Sequence, residues 1–383
     1  MRKILIISFS IIHNDPRVMR QVKLLESSCQ LTVAGYGKKP DAEVGFVEIV
    51  RPASSLGRKL VWASKLLLGA YDSYYWNLPQ VLHASKRLSG EKFDLILAND
   101  VSALPLALAL AGDTPVLLDA HEYSPREFDD KWLWKLLFGR YNDSLCRRYL
   151  GQTVGMITVC QGIADEYARQ YGVTPNVVHN APLDQKLAPS PVENNQIRLI
   201  HHGAAIRSRH LEEMIEMMQH LDQRFSLDLM LMDSDRAYLA ELHQRAADDE
   251  RIRFIKPVPM PEICQHLNAY DLGVYILPPV NFNHEHALPN KFFEFVQARL
   301  GVAIGPSPEM AILVHQYHCG IVADSFDPAA LAAVLTGLTK DSIEAFKQNS
   351  NTAARELSYE HEGQVLLAEI ERVIDHESPQ NIS

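Results

Sequence analysis

Short apolar runs rich in valine, isoleucine and leucine alternate with helix-period stretches almost from end to end of the chain. In the first half the runs are Lys3–Phe9, Leu31–Tyr36, Val44–Val50, Phe93–Ala98, Pro115–Ala120, Met156–Val159 and Val177–His179. Helical stretches such as Pro16–Leu25, Leu60–Leu88 and Ile163–Gln170 lie between them. The second half repeats the plan with Ile197–His202, Phe225–Met232, Ile252–Lys256, Leu272–Leu277, Val302–Ile304 and Gly320–Val322. A strand that is apolar along its whole length must be covered on both faces, which is what helices do for a parallel sheet. The pattern therefore predicts an α/β protein of two doubly wound, Rossmann-like domains in series. Between them Ala181 to Gln196 holds Pro182, Pro189 and Pro191 and has no periodicity, the signature of a boundary. The expected partition is a first domain over 1–182, a linker over 183–196 and a second domain over 197–355. A C-terminal helix is expected over 356–376, with the first domain as the surface it packs back on, and a frayed tail over 377–383.

Composition narrows the class. The 383 residues suit two or three domains. A hydrophobic share of 47% with 22% charged residues excludes disordered, collagenous and low-complexity classes. Five cysteines lie far apart with no CxxC pair, which argues against a zinc ribbon or disulfide framework and for a reducing, cytoplasmic setting. The opening Met1-Arg2-Lys3 and the apolar run to Ile12 imitate a secretory leader, but no small-x-small cleavage site follows, so a buried first strand is expected. The run Val101 to Gly112 is too short to cross a bilayer. The net charge of −10 argues against a nucleic-acid partner. That charge is uneven: residues 1–180 carry 21 Lys+Arg and 18 Asp+Glu, whereas residues 181–383 carry 16 and 29. The two halves are expected to face different partners, or only one of them to approach an anionic surface.

Ligands of open α/β sheets bind at the carboxyl ends of strands, so the loops there are the places to look for chemistry. The richest runs from Asn283 through His-Glu-His-Ala-Leu-Pro-Asn-Lys-Phe-Phe to Glu294. Pro289 reads as a first helical position, which leaves the N–H groups of Asn290 and Lys291 for an anion, with the Lys291 charge added. Glu294, one turn on, is placed to accept two ribose hydroxyls. The same spacing also fits an ordinary amphipathic helix with a dipole-favoured glutamate.

These residues are similar to the nucleotide-sugar segment of retaining GT-B-fold glycosyltransferases of family 4. Further pieces resemble that family in the same order: Asn14-Asp-Pro-Arg-Val-Met-Arg, Asp119-Ala-His-Glu122, Ile157-Thr-Val-Cys160 with Gly162-Ile-Ala-Asp-Glu-Tyr167, Val178-His-Asn-Ala-Pro182, and His202-Gly-Ala204 with Arg209-His-Leu-Glu-Glu213. The likeness covers residues 1–370. It implies two Rossmann-like domains facing across a cleft, and transfer of a sugar from a nucleotide diphosphate, UDP above all, to a glycan or polyprenyl-linked glycan with retention of configuration. The expected setting is bacterial polysaccharide assembly, in the cytoplasm or at the inner face of the membrane. Glu294 would hold the donor ribose, and the backbone at Leu288, Pro289, Asn290 and Lys291 would hold the diphosphate. Arg209, with Arg207 close behind and Gly203 before them, would neutralise the leaving phosphates. Val258, in the loop Lys256–Pro259, would meet the base. His121 would line the sugar pocket, with Asp15 and Glu122 on the same side, and Glu285 or His286 would touch the sugar. Neither a cofactor nor a metal is implied, because fixed donors and cations can stabilise the leaving diphosphate.

The chain departs from the family pattern in three places. A glutamate is common eight positions before the ribose carboxylate; His286 stands there, beside Glu285. A glycine-rich loop after the first strand is replaced by Ser8–Asn14, and glycines after the second strand of the nucleotide domain by Met232-Asp-Ser-Asp-Arg236. Asp233-Ser-Asp235 imitates a metal-binding DxD, but a helix cap at Asp235 explains it better. His284-Glu-His286 and His201-His202 are too close in sequence to supply a tetrahedral zinc set. Asp15 before Pro16 reads first as a helix cap. Two other classes stay open: a UDP-sugar epimerase or hydrolase of the same architecture, and a non-catalytic partner subunit. Finally, Arg58 to Lys65 and Lys131 to Lys135 are basic and aromatic, and residues 51–90 carry six Lys+Arg against one Asp. Such stretches suit contact with anionic lipid as well as a solvated rim over a core.

Overall fold

The computed structural model describes residues 1–50 and 55–375, so the tail expected over 377–383 lies outside the described residues. Thirteen strands form among the described residues. In the first half they are β1 (Lys3–Ile11), β2 (Gln30–Tyr36), β3 (Gly45–Glu48), β4 (Leu95–Asn99), β5 (Val116–Ala120), β6 (Gly155–Thr158) and β7 (Asn176–Val177). In the second they are β8 (Ile197–Ala204), β9 (Phe225–Met232), β10 (Ile252–Ile255), β11 (Leu272–Tyr275), β12 (Gly301–Ile304) and β13 (Gly320–Val322). Each coincides with one of the apolar runs to within a few residues.

The strands make two all-parallel sheets, ordered β3-β2-β1-β4-β5-β6-β7 and β10-β9-β8-β11-β12-β13. In the first, Ile4 pairs with Leu31 on one side and Leu95 on the other. In both sheets the strand order reverses beside the first strand, β1 or β8, so the carboxyl ends of β1/β4 and of β8/β11 are the switch points where doubly wound folds take ligands.

The chain divides into two compact units. One holds Met1–His179, Asn281–Asn283 and the described chain from Gly363 on; the other holds Asn180–Val280 and His284–Glu362. The first unit's core joins Ile4, Ile6, Val33, Leu95 and Leu117 to Leu366, Ile370 and Val373 of the helix Tyr359–Asp375. The second unit's core joins Leu199, Leu227, Leu229 and Val274 to Met214 and Leu331. The proline-rich segment after Asn180 is held within the second unit. Buried Arg299 bonds Leu187 O at 3.1 Å and Asp184 Oδ1 at 3.1 Å, and Ser190 Oγ reaches Asn268 O at 2.5 Å.

One helical stretch differs from its expectation. Leu60–Leu88 is not continuous but forms the helices Leu56–Leu67, Tyr71–Tyr75 and Pro79–Leu88. Gly69 takes φ +69°, a left-handed conformation that ends a helix, and Pro79 opens a new one. Apolar periodicity runs across both interruptions and hides them. No described helix is long and apolar enough to cross a bilayer.

Candidate active site

The second unit gathers cations at the carboxyl end of β8. Lys291 lies in the first turn of the helix Asn290–Gln297 and is buried. Its Nζ is 3.0 Å from His201 Nε2 and 4.0 Å from the centroid of the Tyr275 ring. His201 Nδ1 lies 2.8 Å from Val274 O. Nδ1 therefore carries the proton and donates to that carbonyl, which leaves Nε2 to accept from the lysine. Burial and the Lys291 charge hold His201 well below its usual range, and it stays neutral. Burial and the nearby Arg209 push Lys291 well below the usual range too, against the opposing pull of Glu294.

Arg209 ends the short turn Arg207–Arg209; its NH1 donates to Ala204 O at 3.4 Å. Gly203 sits between the two cations at φ +128°, and a Cβ there would come 3.3 Å from Lys291 Nζ and 3.6 Å from Arg209 NH1. Two basic side chains thus converge on a backbone position where a Cβ would crowd the lysine and the positive φ disfavours one. Glu294 is half-buried, with Oε2 3.3 Å from His202 Nε2. His202 is pushed down to about 3 by burial, then by Lys291 and Arg209, so this contact joins a carboxylate to a neutral ring.

One expectation for this unit is corrected and two are narrowed. Pro289 is the residue before the helix, with ψ 153°, and Asn290 begins it; no side chain caps the first turn. Arg207 is turned to Glu241 at 2.8 Å and lies 4.9 Å over the Tyr238 ring, away from Gly203. Glu285 is exposed, whereas His286 Nδ1 meets the buried Glu309 Oε1 at 2.9 Å. Of that pair only His286 is held in place by a carboxylate. Leu288 is buried, and Val258 is half-buried in the loop after β10. Asp235 caps its helix through Tyr238 N at 3.0 Å, and Asp233 pairs with Arg236 at 2.9 Å. No group of three or more His, Cys, Asp or Glu able to hold a metal ion occurs among the described residues.

The first unit builds a polar network at its own switch point. Arg17 is buried and forks onto the fully buried Asp119, Nε to Oδ2 at 2.8 Å and NH2 to Oδ1 at 2.7 Å; its NH1 donates to Val178 O at 2.8 Å. Gln21 adds a bond to Asp119 Oδ2 at 2.5 Å and exchanges two with Asn99. His121 Nε2 lies 3.0 Å from Asn99 Oδ1, and Nδ1 lies 3.5 Å from Asp100 Oδ2. Burial lowers the His121 pKa, but Asp100 and Asp119 outweigh it and push the ring up to about 9. It is a proton donor at neutral pH. Asp100 takes φ +66°, a strained position that aspartate tolerates better than most residues, and its Oδ1 accepts the His121 N–H at 3.0 Å. Asp15 caps the helix Pro16–Leu25 through Arg17 N and Val18 N.

His121 faces a cavity of about 390 Å³ that lies wholly in the first unit. Tyr74, Tyr75, Trp134, Phe138 and Tyr141 line it together with Asp100, Glu122 and Glu127. Burial among these walls, with the Asp100 charge, raises Glu122 to about 7; burial with Glu122 and Asp100 raises Glu127 to about 8. Asp15 does not line this cavity. Glu127, the tyrosines and the fork from Arg17 to Asp119 were not foreseen from the sequence. Basic and aromatic clustering around Trp132 and Trp134 was the one local signal that pointed here.

The sequence model of Glycosyltransferase Family 4 matches residues 24–181. No curated protein matches the chain. Solved structures do. Anabaena HepE in complex with UDP and glucose is 15% identical, with a TM-score of 0.68 over 97% of this chain and 100% of its own. Sucrose-phosphate synthase from Thermosynechococcus elongatus is 12% identical, with a TM-score of 0.70 over 98% and 100%. A UDP-forming trehalose-phosphate synthase from Burkholderia xenovorans is 10% identical, with a TM-score of 0.70 over 97% and 99%.

Proposed function

We propose that this chain, a glycosyltransferase of GT-B architecture with a family 4 domain over residues 24–181, moves a hexosyl group from a UDP-sugar to a glycan or polyprenyl-linked glycan. The observation that carries this reading is the convergence of Lys291 Nζ and Arg209 NH1 on Gly203, beside an uncapped helix start. Two neighbouring basic side chains, one of them on the first turn of a helix, ask for an anion of more than one charge, and a diphosphate supplies it. Glu294, one turn further along the same helix, is spaced to accept the ribose hydroxyls. The bound UDP of HepE supports uracil as the base.

The difficult step is loss of UDP from the anomeric carbon. As the C1–O bond breaks, charge gathers on the β-phosphate oxygen, where Lys291 and Arg209 stabilise it without a metal ion. The acceptor oxygen bonds to C1 on the face that UDP leaves, and its proton passes to the departing phosphate. The configuration is thereby retained. His286, steadied by Glu309, takes the sugar-contacting place. In the first unit His121 offers a hydrogen bond to the acceptor in its cavity. Bacterial polysaccharide assembly is the setting that suits such an acceptor.

The test is a thermal-shift series with UDP, GDP and ADP, with and without EDTA. UDP at one hundred times its Kd should stabilise the protein by about 2.7 kcal/mol, unchanged by EDTA. No shift with any nucleotide would leave the non-catalytic reading. UDP release that needs no acceptor would leave the hydrolase.

Replacing Glu294 with glutamine removes a charge-assisted acceptor for the ribose, worth about 1.5–3 kcal/mol. Titration calorimetry should show UDP binding about 10–100-fold weaker, with pyrophosphate binding unchanged. Equal losses for both ligands would take Glu294 off the ribose.

A further inference from the structure

We infer that the face of the first unit formed by the helix Leu56–Leu67 and the segment Trp132–Gly139 docks on an anionic lipid surface. The docking is argued from this surface alone and does not rest on the transfer reaction. The two elements pack against each other, and both turn large apolar side chains to solvent. Leu60 is 67% exposed, Leu68 82% and Trp132 75%, with Leu56, Leu67 and Leu133 also above half. At 100° per residue Leu56, Leu60 and Leu67 fall within about 40° of one another, and Val61 and Leu68 extend that arc. Buried Leu66 and half-buried Trp62 point the other way, into the unit. The helix therefore buries one face and offers a second, opposite apolar face that stays exposed among the described residues.

Charge identifies the occupant. Residues 55–68 and 131–140 contain Arg58, Lys59, Lys65, Lys131, Lys135 and Arg140 and no carboxylate, in a chain whose net charge is −10. The acidic residues just before the second segment are engaged: Asp129 with Arg126 at 2.7 Å and Asp130 with Asn281 at 3.1 Å. Exposed leucine and tryptophan rimmed by lysine and arginine is the composition of an interfacial helix on anionic lipid. A second copy of the chain fits worse, because a two-fold contact would set this cationic patch against itself.

The segment has a second face. Trp134 and Phe138 wall the cavity that holds His121, while Trp132, Leu133 and Leu136 point out. A π-helical turn over Lys135–Gly139 follows directly on Trp134. Docking would thus bring the cavity wall to the lipid headgroups. If the first unit receives the acceptor, as proposed above, that acceptor is carried on a lipid.

Cosedimentation with vesicles tests this. The full chain should bind vesicles of phosphatidylglycerol mixed with phosphatidylcholine, and bind pure phosphatidylcholine at least tenfold less. Raising the salt from 0.1 to 0.5 M should weaken the binding. A Leu60→Ser/Trp132→Ser variant and a Lys59→Glu/Lys135→Glu variant should each lose at least tenfold in binding, with unfolding midpoint and UDP affinity unchanged. Equal binding to both vesicle types, no binding, or variants that bind as the parent does would overturn the proposal. So would a dimer in solution that the serine variant dissolves. UDP affinity is read from the second unit, so a failure of docking and a failure of the transferase reading are distinguishable.

Discussion

Replacing Lys291 with methionine should lower kcat by about 10²–10³-fold, the usual consequence of deleting one fixed donor at a developing oxyanion, and should raise the unfolding midpoint. The two effects have one cause. Lys291 is buried against His201 and Tyr275, with Arg209 near enough to repel it. In the free protein that charge is costly. Its pKa is held well below the usual lysine range, so the charged form costs folding stability at every pH below the unfolded value, and the cost grows as pH falls. A methionine of similar length fills the space without a charge to bury. When a diphosphate binds, the balance reverses: the anion draws the lysine back to its protonated form. Binding UDP should therefore take up a fraction of a proton, seen as a dependence of the calorimetric heat on the buffer's ionisation enthalpy, and affinity should fall as pH rises. Methionine should abolish that uptake. A variant with lower kcat, no gain in stability and unaltered proton uptake would mean that Lys291 is only a packing residue. Such a trade of stability for function is common where a site is built from groups that repel one another until the ligand arrives.

How much of this was legible beforehand follows from the range of the interactions. Strands that are apolar along their whole length announce themselves, which is why Phe225–Met232 and Gly320–Val322 coincide with their runs to the residue. Caps act over three residues, so Asp15 and Asp235 could be read directly. Helix breaks were harder: Gly69 interrupts a periodic stretch whose apolar spacing continues on the far side. The donor site was half visible. Lys291 and Glu294 share one helix face by spacing, but whether Arg207 or Arg209 turns to them depends on Glu241 and Tyr238, more than thirty residues away. The cavity around His121 could not be read, because its wall comes from segments around residues 74, 122, 134 and 141 that only the fold brings together. Arg17 and Asp119 are 102 residues apart, and no local pattern links them.

That last pair carries the largest expected effect on folding. Arg17→Met should destabilise the protein by about 3–5 kcal/mol, because a buried carboxylate would lose the guanidinium that neutralises it. Burial alone would raise Asp119; Arg17 and His121 outweigh it and hold the carboxyl down to about 2. The folded value is thus below the unfolded one, so the pair contributes stability that is complete above the unfolded pKa and is lost as pH falls toward 2. Without Arg17 the order inverts. Asp119 would titrate above its unfolded value, the penalty would be present at neutral pH, and it would fade as acid protonates the carboxyl. The gap in urea midpoint between parent and variant should therefore narrow between pH 7 and pH 4. Removing both charges in Arg17→Met/Asp119→Leu should restore most of the stability, since an apolar pair of similar volume needs no compensation. It should not restore the proton on His121, because Asp119 is one of the two carboxylates that keep that ring charged beside the cavity. A fully stable double variant whose His121 still titrates near 9 by NMR would show that Asp100 alone charges the ring. One in which His121 falls back toward its usual range would show that Asp119 ties a buried ion pair to the donor that the acceptor meets.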